Sequence, residues 1–549
     1  MTTTRSLLCL AIACAWLTSP AAHAANTADN PCKTTAECAE QARKIGAFVE
    51  KTPDGQRHGE TQFDYLNRIN KASLVMLKEA GIVTAEQAAT IAGGVRHAID
   101  QATQPDGKRP SDVLQLEQII TDKVGPEASL IHSGRSRQDM YATYRLASLR
   151  NHVLAYGDAL DATRQRLLTL AAQHVDTLVP AYTNGVQAMP ISYAHYLLAY
   201  EASFERDAQR LHELYARLNL SPMGTAVLAN SGYPINRERL AQLLGFDGVR
   251  ENSLDASQVS TYDIPLEAAG LVSSSAIRIG AFIGDIHTQY HQTRPWLLLD
   301  EGATYTSSAM PQKRNPGLLM RTREAASDVV GLANATTLRA HNVTTGMTDY
   351  KAAFDDLGLF RSTGDMFKRL DQVLDALKIN AARAEEELDA DWTTSMELAD
   401  TLERKHHVPF RIGHSFASLI VEKARADGTL PKDFAYADAQ ALFTHAADKY
   451  KWKDNTLPLS EADFRASLSP RAMVQSRKGT GGPQPEEVRR MLAEAQARLK
   501  EDQAWMQQRR QKLGDADVGL DKAFDGLMGR DLAGARDPCG SGLAPRWAA

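Results

Sequence analysis

Long stretches of helical periodicity, interrupted by few helix-breaking residues, dominate this chain of 549 residues. Apolar residues recur at spacings of three and four through the windows 64–80, 84–101, 139–174 and 190–219. Alternation typical of a strand is hard to find over more than four residues, apart from weak candidates near 304–305. Long helices with one apolar stripe bury that stripe against other helices. The sequence therefore predicts an all-α protein built around a central bundle of long helices.

Segments rich in Gly, Pro and polar residues separate these windows and indicate how the chain is divided. The composition, 43% hydrophobic and 23% charged, is ordinary for a folded protein and excludes a fibrous or largely disordered chain. The most apolar long window, 264–290, carries Glu267, Arg278 and Asp285, so we predict a core helix there and not a membrane span. After a leader, the segments predict an N-terminal helical domain (25–138), the central bundle (139–392), a C-terminal helical domain (393–530) and a loose tail (531–549).

The first 24 residues have the plan of a secretory signal peptide. One positive charge, Arg5, precedes an almost wholly apolar run at 7–17, and Ala22 and Ala24 place small residues before a cleavage point. The run, about 11 residues, is too short to span a bilayer core of roughly 30 Å as a helix. We therefore expect cleavage after Ala24 and a periplasmic or secreted mature protein. A buried N-terminal helix and a lipid anchor on Cys14 are the alternatives.

Cysteine content and net charge indicate which disulfides, metals and partners the chain can have. Cleavage of the leader leaves Cys32, Cys38 and Cys539, of which two could form a disulfide in an oxidising compartment. The shortest connection joins Cys32 to Cys38, Cys539 is the alternative partner of either, and we expect fewer than three free thiols. No Cys/His spacing suits a zinc site, so we predict no metal and no other cofactor. A formal net charge of -5 provides no basic surface for nucleic acid or an anionic membrane.

The segment 306–317, TSSAMPQKRNPG, is the strongest candidate for chemistry. It places two serine hydroxyls, a lysine and the amide of Asn315 in a loop that runs into a helical pattern at Leu318. Asn315 suits the N-cap of that helix and Pro316 its first position. Such a loop directs a helix N-terminus and backbone N–H groups at one point, where Lys313 adds a full positive charge. From spacing alone, a structural helix start with a solvated Lys-Arg pair is the alternative.

The segment 132–139, HSGRSRQD, is the second candidate. It is a polar turn directly before the helical window that starts at Asp139. Two arginines separated by one residue, Arg135 and Arg137, have hydroxyl neighbours and suit bidentate binding of carboxylates. A solvated basic turn is the alternative for this segment on its own.

Together these segments resemble the argininosuccinate lyase family of the fumarase/aspartase superfamily. Residues 132–139 are similar to that family's HTGRSRND, and residues 307–316 to its long and specific signature SSxMPQKxNP. The resemblance covers roughly residues 60 to 500, and implies a three-domain all-α fold, an anionic small-molecule substrate and a homotetramer whose active sites combine loops from three subunits. Further agreement lies at 233–237, 244–249, 251–256, 408–411 and 479–485.

The resemblance also implies a reaction and the residues that perform it. Family members reversibly eliminate a group from a succinyl compound, usually across a C–N bond, and release fumarate. Ser307 would take the Cβ proton, with its alkoxide stabilised by loop N–H groups and Lys313. Lys313 and Asn315 would hold the carboxylate that gains charge as the proton leaves. The substrate would be bound by Ser136, Arg137, Gln138, Thr183, Asn184, Gln312 and Lys351.

The chain departs from the family on the side of the leaving amine. Where the family has YTHLQRAQP this chain reads YTNGVQAMP, so that Asn184 replaces a histidine that helps to protonate the amine. Asn does not titrate near neutral pH. Either His132 or His195 takes over this task, or the leaving group needs little acid assistance. The family's YNRDLQEDK, which holds the citrulline-like half of argininosuccinate, is poorly kept at 346–351, where Lys351 is retained.

These patterns predict an exported lyase that cleaves an N-substituted aspartate, or a similar amino-polycarboxylate, to fumarate and an amine. Two alternatives stay open. One is a true argininosuccinate lyase that releases arginine, which an exported location disfavours because arginine synthesis is cytoplasmic. The other is a catalytically inactive binding or structural relative, which Asn184 favours and which the retained Ser307, Lys313 and Asn315 oppose.

Overall fold

The computed structural model describes residues 61–104, 107, 109–347 and 356–529. The leader, all five cysteines, Lys351 and the tail at 531–549 lie outside the described residues. Signal cleavage, disulfide pairing and the role of Lys351 therefore stay predictions from the sequence.

Three helices at the start of the described chain form one hydrophobic core. They are α1 (Gln62–Glu79), α2 (Ala85–Thr103) and α3 (Val113–Val124). Thr84 caps α2 by accepting a hydrogen bond from Gln87 N, and Asp112 caps α3 by accepting from Leu114 N and Gln115 N. Such caps satisfy backbone donors that a helix start leaves unpaired. The helices pack through their buried faces, and a 3₁₀ turn, Pro126–His132, leads out of this core to the next helix.

Among the described residues, the largest core is formed mainly by five long helices. They are α4 (Arg137–Gln173), α5 (Tyr193–Leu218), α7 (Ser260–Gln289), α8 (Gly317–Ala340) and α9 (Asp356–Ala376), with a short α6 (Arg237–Leu243) before α7. Helix α4 packs on α5 and α9, and α8 packs on α7 and α9. The prediction of an all-α protein with a central bundle of long helices is confirmed.

A β-hairpin interrupts the helical pattern where none was predicted. Strand β1 (Leu178–Thr183) pairs antiparallel with β2 (Val186–Ser192), so the helical window predicted at 190–219 begins only at Tyr193. Asn184 and Gly185 form the two-residue turn, with φ of 51° and 78°. Asn-Gly is the preferred pair for such a turn because both residues tolerate positive φ. That dipeptide between two apolar runs was the available signal, and the absence of extended strands outside 304–305 was a wrong expectation.

The remaining strands are short and tie loops together. They are β3 (Leu220–Ser221) parallel to β4 (Gly248–Val249), β5 (Leu297–Leu299) antiparallel to β8 (Leu377–Ile379), and β6 (Tyr305–Thr306) antiparallel to β7 (Arg314–Asn315). The weak strand candidate near 304–305 is therefore a real strand, and it lies directly before the candidate loop.

A third core lies in the C-terminal part of the described chain. Its helices are α11 (Ser395–His406), α12 (Phe410–Asp427), α13 (Tyr436–Lys449) and α14 (Glu461–Ser467), preceded by α10 (Ala381–Asp389) and followed by α15 (Pro470–Ser476). Phe416, Phe443 and Phe464 are fully buried at its centre. Large aromatic side chains supply much of the buried apolar area in so small a core.

The last helix, α16 (Pro485–Gly526), connects the first two cores. Its 42 residues extend over about 63 Å at 1.5 Å per residue. Val488 and Leu499 are buried in the central core, whereas Leu520 and Phe524 are buried in the N-terminal core. Its buried side chains thus pack with the first two parts of the chain and not with the C-terminal core. The domain boundaries 25–138, 139–392 and 393–530 stay predictions.

Helix α7 is the most apolar long helix in the described residues. With the π-helical turn Asp255–Val259 that precedes it, it is long and apolar enough by composition to cross a membrane. Half of its most apolar window is buried, and Val272, Ile279 and Ile283 lie within the central core. This burial is that of a core helix of the bundle.

Candidate active site

Ser307 lies at the end of β6, in the hairpin that precedes α8. Its backbone N–H donates to Lys313 O at 3.2 Å, which closes the loop. Its Oγ accepts hydrogen bonds from Ala309 N at 3.3 Å and Met310 N at 3.2 Å. Two N–H donors directed at one hydroxyl oxygen favour its ionised form, because they stabilise negative charge on that oxygen. The fold thus brings Ser307, Lys313 and Asn315 into one hairpin.

The hairpin presents its polar groups to solvent. Gln312 and Lys313 are exposed, while Ser307 and Asn315 are half-buried. Asn315 Nδ2 donates to Tyr305 O at 3.4 Å across the strand pair. Within the described part of the chain, Lys313 forms no ion pair, so its charge is available to an anionic ligand.

Helix α8 begins one residue later than the sequence predicted. Pro316, expected at the first helical position, is the N-cap residue, and Asn315, expected at the N-cap, belongs to β7. The shift arises because Asn315 pairs with Tyr305 in the hairpin and so keeps an extended backbone. Gly317 is the first helical residue, and the Tyr305 ring lies across it. A Cβ at position 317 would be 2.9 Å from Tyr305 Cδ1.

Replacing Gly317 with alanine is expected to lower kcat/KM by about 10-fold or more, because the new methyl group displaces Tyr305 and the hairpin that carries Ser307. Steady-state kinetics of Gly317→Ala measure the effect. Gly331→Ala on the same helix is the matched control, since a Cβ there meets nothing within 4 Å. The double variant Gly317→Ala/Tyr305→Ala should recover part of the loss. Equal activity in both single variants would contradict the prediction.

A second group of predicted site residues lies at the start of α4. Ser136 is the N-cap residue, and its Oγ accepts from Gln138 N at 3.4 Å. Asp139 Oδ1 accepts from Ser136 N at 2.8 Å, which completes a capping box. Arg137 is exposed and lies 3.9 Å from Asp112. Ser136, Arg137 and Gln138 therefore surround a helix N-terminus, a position that favours anions.

Arg135 does not share this role, although its spacing from Arg137 predicted a bidentate pair. Its guanidinium donates to Asn70 Oδ1 at 2.9 Å and to Ser73 Oγ at 3.0 Å, both on α1. Burial lowers the pKa of Arg135 to about 10. The two arginines diverge because the turn at Gly134, with φ of 69°, directs one side chain inward. A pair of arginines that both bind carboxylates is therefore a wrong expectation for this chain.

His132 is held by a neighbouring carboxylate. Its Nε2 lies 3.1 Å from Glu117 Oε2. Burial, and then the charge of Arg135, lower the pKa of His132 to about 3. We take the imidazole to be neutral at neutral pH despite the carboxylate, with Nε2–H donating to Glu117, because burial is the largest influence on it. It is thus no proton reservoir for a leaving amine.

A cleft of about 340 Å³ opens beside this turn. The cleft lies between the 132–139 turn and residues 231–235. The turn before α4 is thus next to the stretch YPINR, which also carries the family resemblance. The cleft is lined by Gly134, Arg135, Ala226, Ser231, Gly232 and Tyr233.

The third group lies at the tip of the β1–β2 hairpin. Thr183 and Asn184 are both exposed there. Asn184 adopts positive φ, so the residue that replaces the family's histidine has a conformational role in the turn. His195, the other candidate acid, is half-buried in the first turn of α5, and burial lowers its pKa. Its Nδ1 is buried and has no hydrogen-bond partner among the described residues.

The Ser136–Gln138 group lies at one end of the central bundle, and the other two groups lie at the opposite end. Helix α4 has 37 residues and is about 55 Å long, with Arg137 at its start and the β1–β2 hairpin beyond its end. Trp296, in the segment that leads from α7 to the Ser307 hairpin, donates from Nε1 to Tyr182 Oη at 3.5 Å, which places that segment at the same end as the β1–β2 hairpin. Gly346 N donates to Gln258 Oε1, which places the segment after α8 at the start of α7. A single chain therefore does not bring all the predicted site residues together.

Two buried residues that organise the site were not predicted from the sequence. Asp139 accepts hydrogen bonds from the 224–226 segment as well as from its own helix cap. Arg237 donates to the carbonyl oxygens of Met223, Arg250 and Glu251. Both lie within the stretches that carry the family resemblance, but charged residues next to turns are usually solvated, so their burial was not evident from the sequence.

Comparison with known proteins identifies two matching families along the chain. Residues 70–331 match the family model described as Lyase, and residues 392–475 match the model of the argininosuccinate lyase C-terminal region. The argininosuccinate lyase of Methanocaldococcus jannaschii is 32% identical over 80% of this chain and 90% of its own length. That of Methanosarcina barkeri is 30% identical over 85% of this chain and 92% of its own length.

Solved structures show the same architecture. An EDDS lyase in complex with formate superposes with a TM-score of 0.78 at 28% identity, and covers 85% of this chain and 92% of its own. A variant of EDDS lyase with bound fumarate superposes with a TM-score of 0.77. A 3-carboxy-cis,cis-muconate lactonizing enzyme from Pseudomonas putida, at 19% identity and a TM-score of 0.60, shares the fold.

Proposed function

We propose, from the premise that the chain belongs to the argininosuccinate lyase family of the fumarase/aspartase superfamily, that it cleaves an N-substituted aspartate to fumarate and an amine. Family membership and the EDDS lyase neighbours make it a carbon–nitrogen lyase. The substrate is proposed to be an N-substituted aspartate or a similar amino-polycarboxylate. Similarity to a lyase structure with bound fumarate supports the dicarboxylate product.

The observation that carries this proposal is the pair of N–H groups directed at Ser307 Oγ. A serine hydroxyl is a weak base until its alkoxide is stabilised. Ala309 N and Met310 N already point at this oxygen, and Lys313 follows in the same loop. As Ser307 takes the Cβ proton, the adjacent substrate carboxylate gains charge. Lys313 and Asn315 stabilise that charge, and the C–N electron pair leaves with the amine.

The leaving-amine side differs from that of an argininosuccinate lyase. Asn184 occupies the hairpin tip, and an amide does not donate a proton to an amine near neutral pH. Because His132 is bound to Glu117 and burial lowers the pKa of His195, we propose that the amine leaves with little acid assistance or with a proton from water. That requirement favours amines that are good leaving groups over the guanidino group of arginine.

Fumarate production from a substrate panel tests the proposal. The purified protein is incubated with argininosuccinate and with a series of N-substituted aspartates, while fumarate absorbance is recorded. The members of the series differ in the pKa of the ammonium form of the amine that they release. Turnover should be detectable for N-substituted aspartates and should increase as the pKa of the ammonium form of the departing amine falls. Fumarate release from argininosuccinate alone would favour a true argininosuccinate lyase. Release of fumarate from no member of the panel would remove the proposed activity.

We also propose that the protein is a homotetramer whose active sites combine loops of several subunits. Arg137 and Ser307 lie at opposite ends of the bundle, so one chain needs a second, oppositely directed copy to complete a site. The exposed face of α7 suits close helix contact. Ile277 on this face is 62% exposed, and a Cβ at Gly270 or Gly284 would meet nothing within 4 Å. On α8, Leu338 is 74% exposed.

Light scattering coupled to size exclusion tests the assembly. The full protein should have four times the mass of the chain. Ile277→Arg should dissociate it, because a buried unpaired charge in a helix interface is costly. Activity should then be lost although Ser307 is unchanged. A monomer that is fully active would contradict shared sites.

Export from the cytoplasm is a separate proposal that rests on the leader at residues 1–24. Protein recovered from the periplasm or medium should begin at residue 25 by mass spectrometry. Without reductant it should titrate fewer than three thiols. An intact leader on cytoplasmic protein would contradict export.

A further inference from the structure

We propose that Asp139 is a positioning residue, which holds the Ser136–Gln138 turn in its ligand-binding geometry by attaching it to the 224–228 segment. This inference rests on the proposed function, because it assigns that turn to the binding of a substrate carboxylate. Asp139 is not itself placed in contact with the substrate.

The carboxylate of Asp139 joins two separate segments of the chain. Its Oδ1 accepts from Ser136 N at 2.8 Å, and its Oδ2 accepts from Gly224 N and Ala226 N, each at 3.2 Å. The side chain has no solvent exposure. Three N–H donors directed at one buried carboxylate form charge-assisted hydrogen bonds, which are stronger than neutral ones. The start of α4 and the 224–226 segment are therefore fixed to each other through this group.

The segment to which Asp139 is attached is itself rigid. Ala226 and Val227 adopt φ of 44° and 80°, a conformation that is unfavourable for a residue with a Cβ and most of all for a β-branched one. Surrounding contacts hold it. Ser257 Oγ donates to Val227 O, and Ser253 Oγ donates to Leu228 O at 2.8 Å.

Arg237 supplies a further attachment on the other side. It is buried and donates to Met223 O at 3.2 Å and to Glu251 O at 2.9 Å. Through Arg237, the start of the 224–228 segment is bound to the residues that lead into α7. The segment therefore provides Asp139 with a fixed anchor. A turn attached to a fixed anchor keeps Arg137 and Gln138 at one end of the bundle in one orientation, as positioning of a substrate carboxylate requires.

An aspartate is needed here because an amide cannot make the same contacts. Asparagine has the same shape, but one of its two terminal atoms is an N–H donor, which would face the N–H groups of the helix cap or of the 224–226 segment. The charged groups that face Asp139 are Arg135 from the preceding turn and Arg237 from α6. Burial raises the pKa of Asp139 to about 6, so the carboxylate is ionised at neutral pH and protonates in mild acid.

The test compares Asp139→Asn with a matched loss of a helix cap elsewhere, in the full-length protein. Thr84→Ala removes a capping-box hydrogen bond from the start of α2, a helix that carries none of the proposed site residues, and should lower the thermal midpoint without changing ligand affinity. Asp139→Asn should raise the Kd for fumarate, measured by calorimetry, and the KM for substrate by about 10-fold or more, with kcat changed by less than about 3-fold. Unchanged Kd and KM in Asp139→Asn would overturn the inference.

Wild-type protein provides a second measurement if Asp139→Asn does not fold. Between pH 7.5 and 5, the affinity of the wild type for fumarate should fall about 10-fold as Asp139 takes up a proton, while its circular dichroism spectrum stays unchanged. If Asp139→Asn folds, its affinity for fumarate should not depend on pH over this range. A wild-type affinity that is constant over this range would overturn the inference. If the wild type binds fumarate without turnover on any substrate, the proposed lyase activity fails, and fumarate affinity still tests Asp139.

Discussion

Replacing Ser307 with alanine is expected to lower kcat by about 10²- to 10⁴-fold, the range typical of a lost general base, with little change in substrate affinity. The variant removes the oxygen that we propose takes the Cβ proton, and it leaves Lys313 and Asn315 in place. The two N–H groups that donate to Ser307 Oγ then face solvent, since Ala309 and Met310 are exposed. The structural cost of the variant should therefore be small.

Steady-state and single-turnover kinetics separate this effect from a general loss of structure. A fall in kcat with constant KM and constant fumarate Kd identifies a group that acts in the transition state. Ser327→Ala provides a matched control on α8, because Ser327 Oγ is exposed and donates only to Arg323 O of its own helix. Retention of wild-type turnover by Ser307→Ala would show that another group removes the proton.

Replacing Arg164 with methionine is expected to destabilise the folded protein by about 3–5 kcal/mol near neutral pH, because it removes one partner of a buried ion cluster. Arg164 has no solvent exposure. Its Nε donates to Glu201 Oε1 at 2.9 Å and its Nη1 to Asp502 Oδ2 at 2.5 Å, and Asp161 lies 3.7 Å away. These carboxylates come from α4, α5 and α16, so the cluster joins three helices through one guanidinium.

Arg166→Met is the matched control, because Arg166 lies on the same helix but pairs with Asp371 and Asp375 at the surface. Its loss should cost less than about 1 kcal/mol. Urea denaturation gives both free energies of unfolding. Equal losses for the two variants would contradict a special role of the buried cluster.

The penalty of Arg164→Met should depend on pH. In the wild type, burial above all raises the pKa of Asp161 to about 7, and the charges of Asp502 and Asp158 raise it further against the opposing effect of Arg164. A folded carboxyl with a raised pKa binds protons that the unfolded chain does not, so its contribution to stability falls as pH rises from about 4 to 7. Without Arg164 the carboxyl pKa values rise further. The penalty should therefore be largest above pH 7 and should decrease in mild acid.

Local sequence chemistry was sufficient to predict several of the long helices and the loop that carries Ser307, Lys313 and Asn315. Apolar spacing of three and four located α1, α2, α4 and α5 to within three residues, because such spacing reports directly on the face that a helix buries. The same approach failed at 178–192. There the apolar residues belong to two strands, and the Asn-Gly turn that joins them carries more information than the periodicity.

The two arginines of the 132–139 segment show where sequence reasoning ends. The two arginines flank the same serine, Ser136, yet Arg135 donates to Asn70 and Ser73 and Arg137 faces solvent. Asn70 and Ser73 are more than sixty residues away in the sequence. Their approach depends on how α1 packs against the start of α4, which no local pattern specifies.

The sequence by itself determined the all-α architecture and the loop in which Ser307, Lys313 and Asn315 are neighbours, because helix periodicity and turn chemistry act between residues close along the chain. Only the tertiary structure decided that Asp139 is a buried anchor and that Arg137 and Ser307 lie at opposite ends of a bundle about 55 Å long. These features depend on contacts between residues far apart in sequence. For that reason one chain does not bring the residues of the proposed site together, although all of them are visible in the sequence.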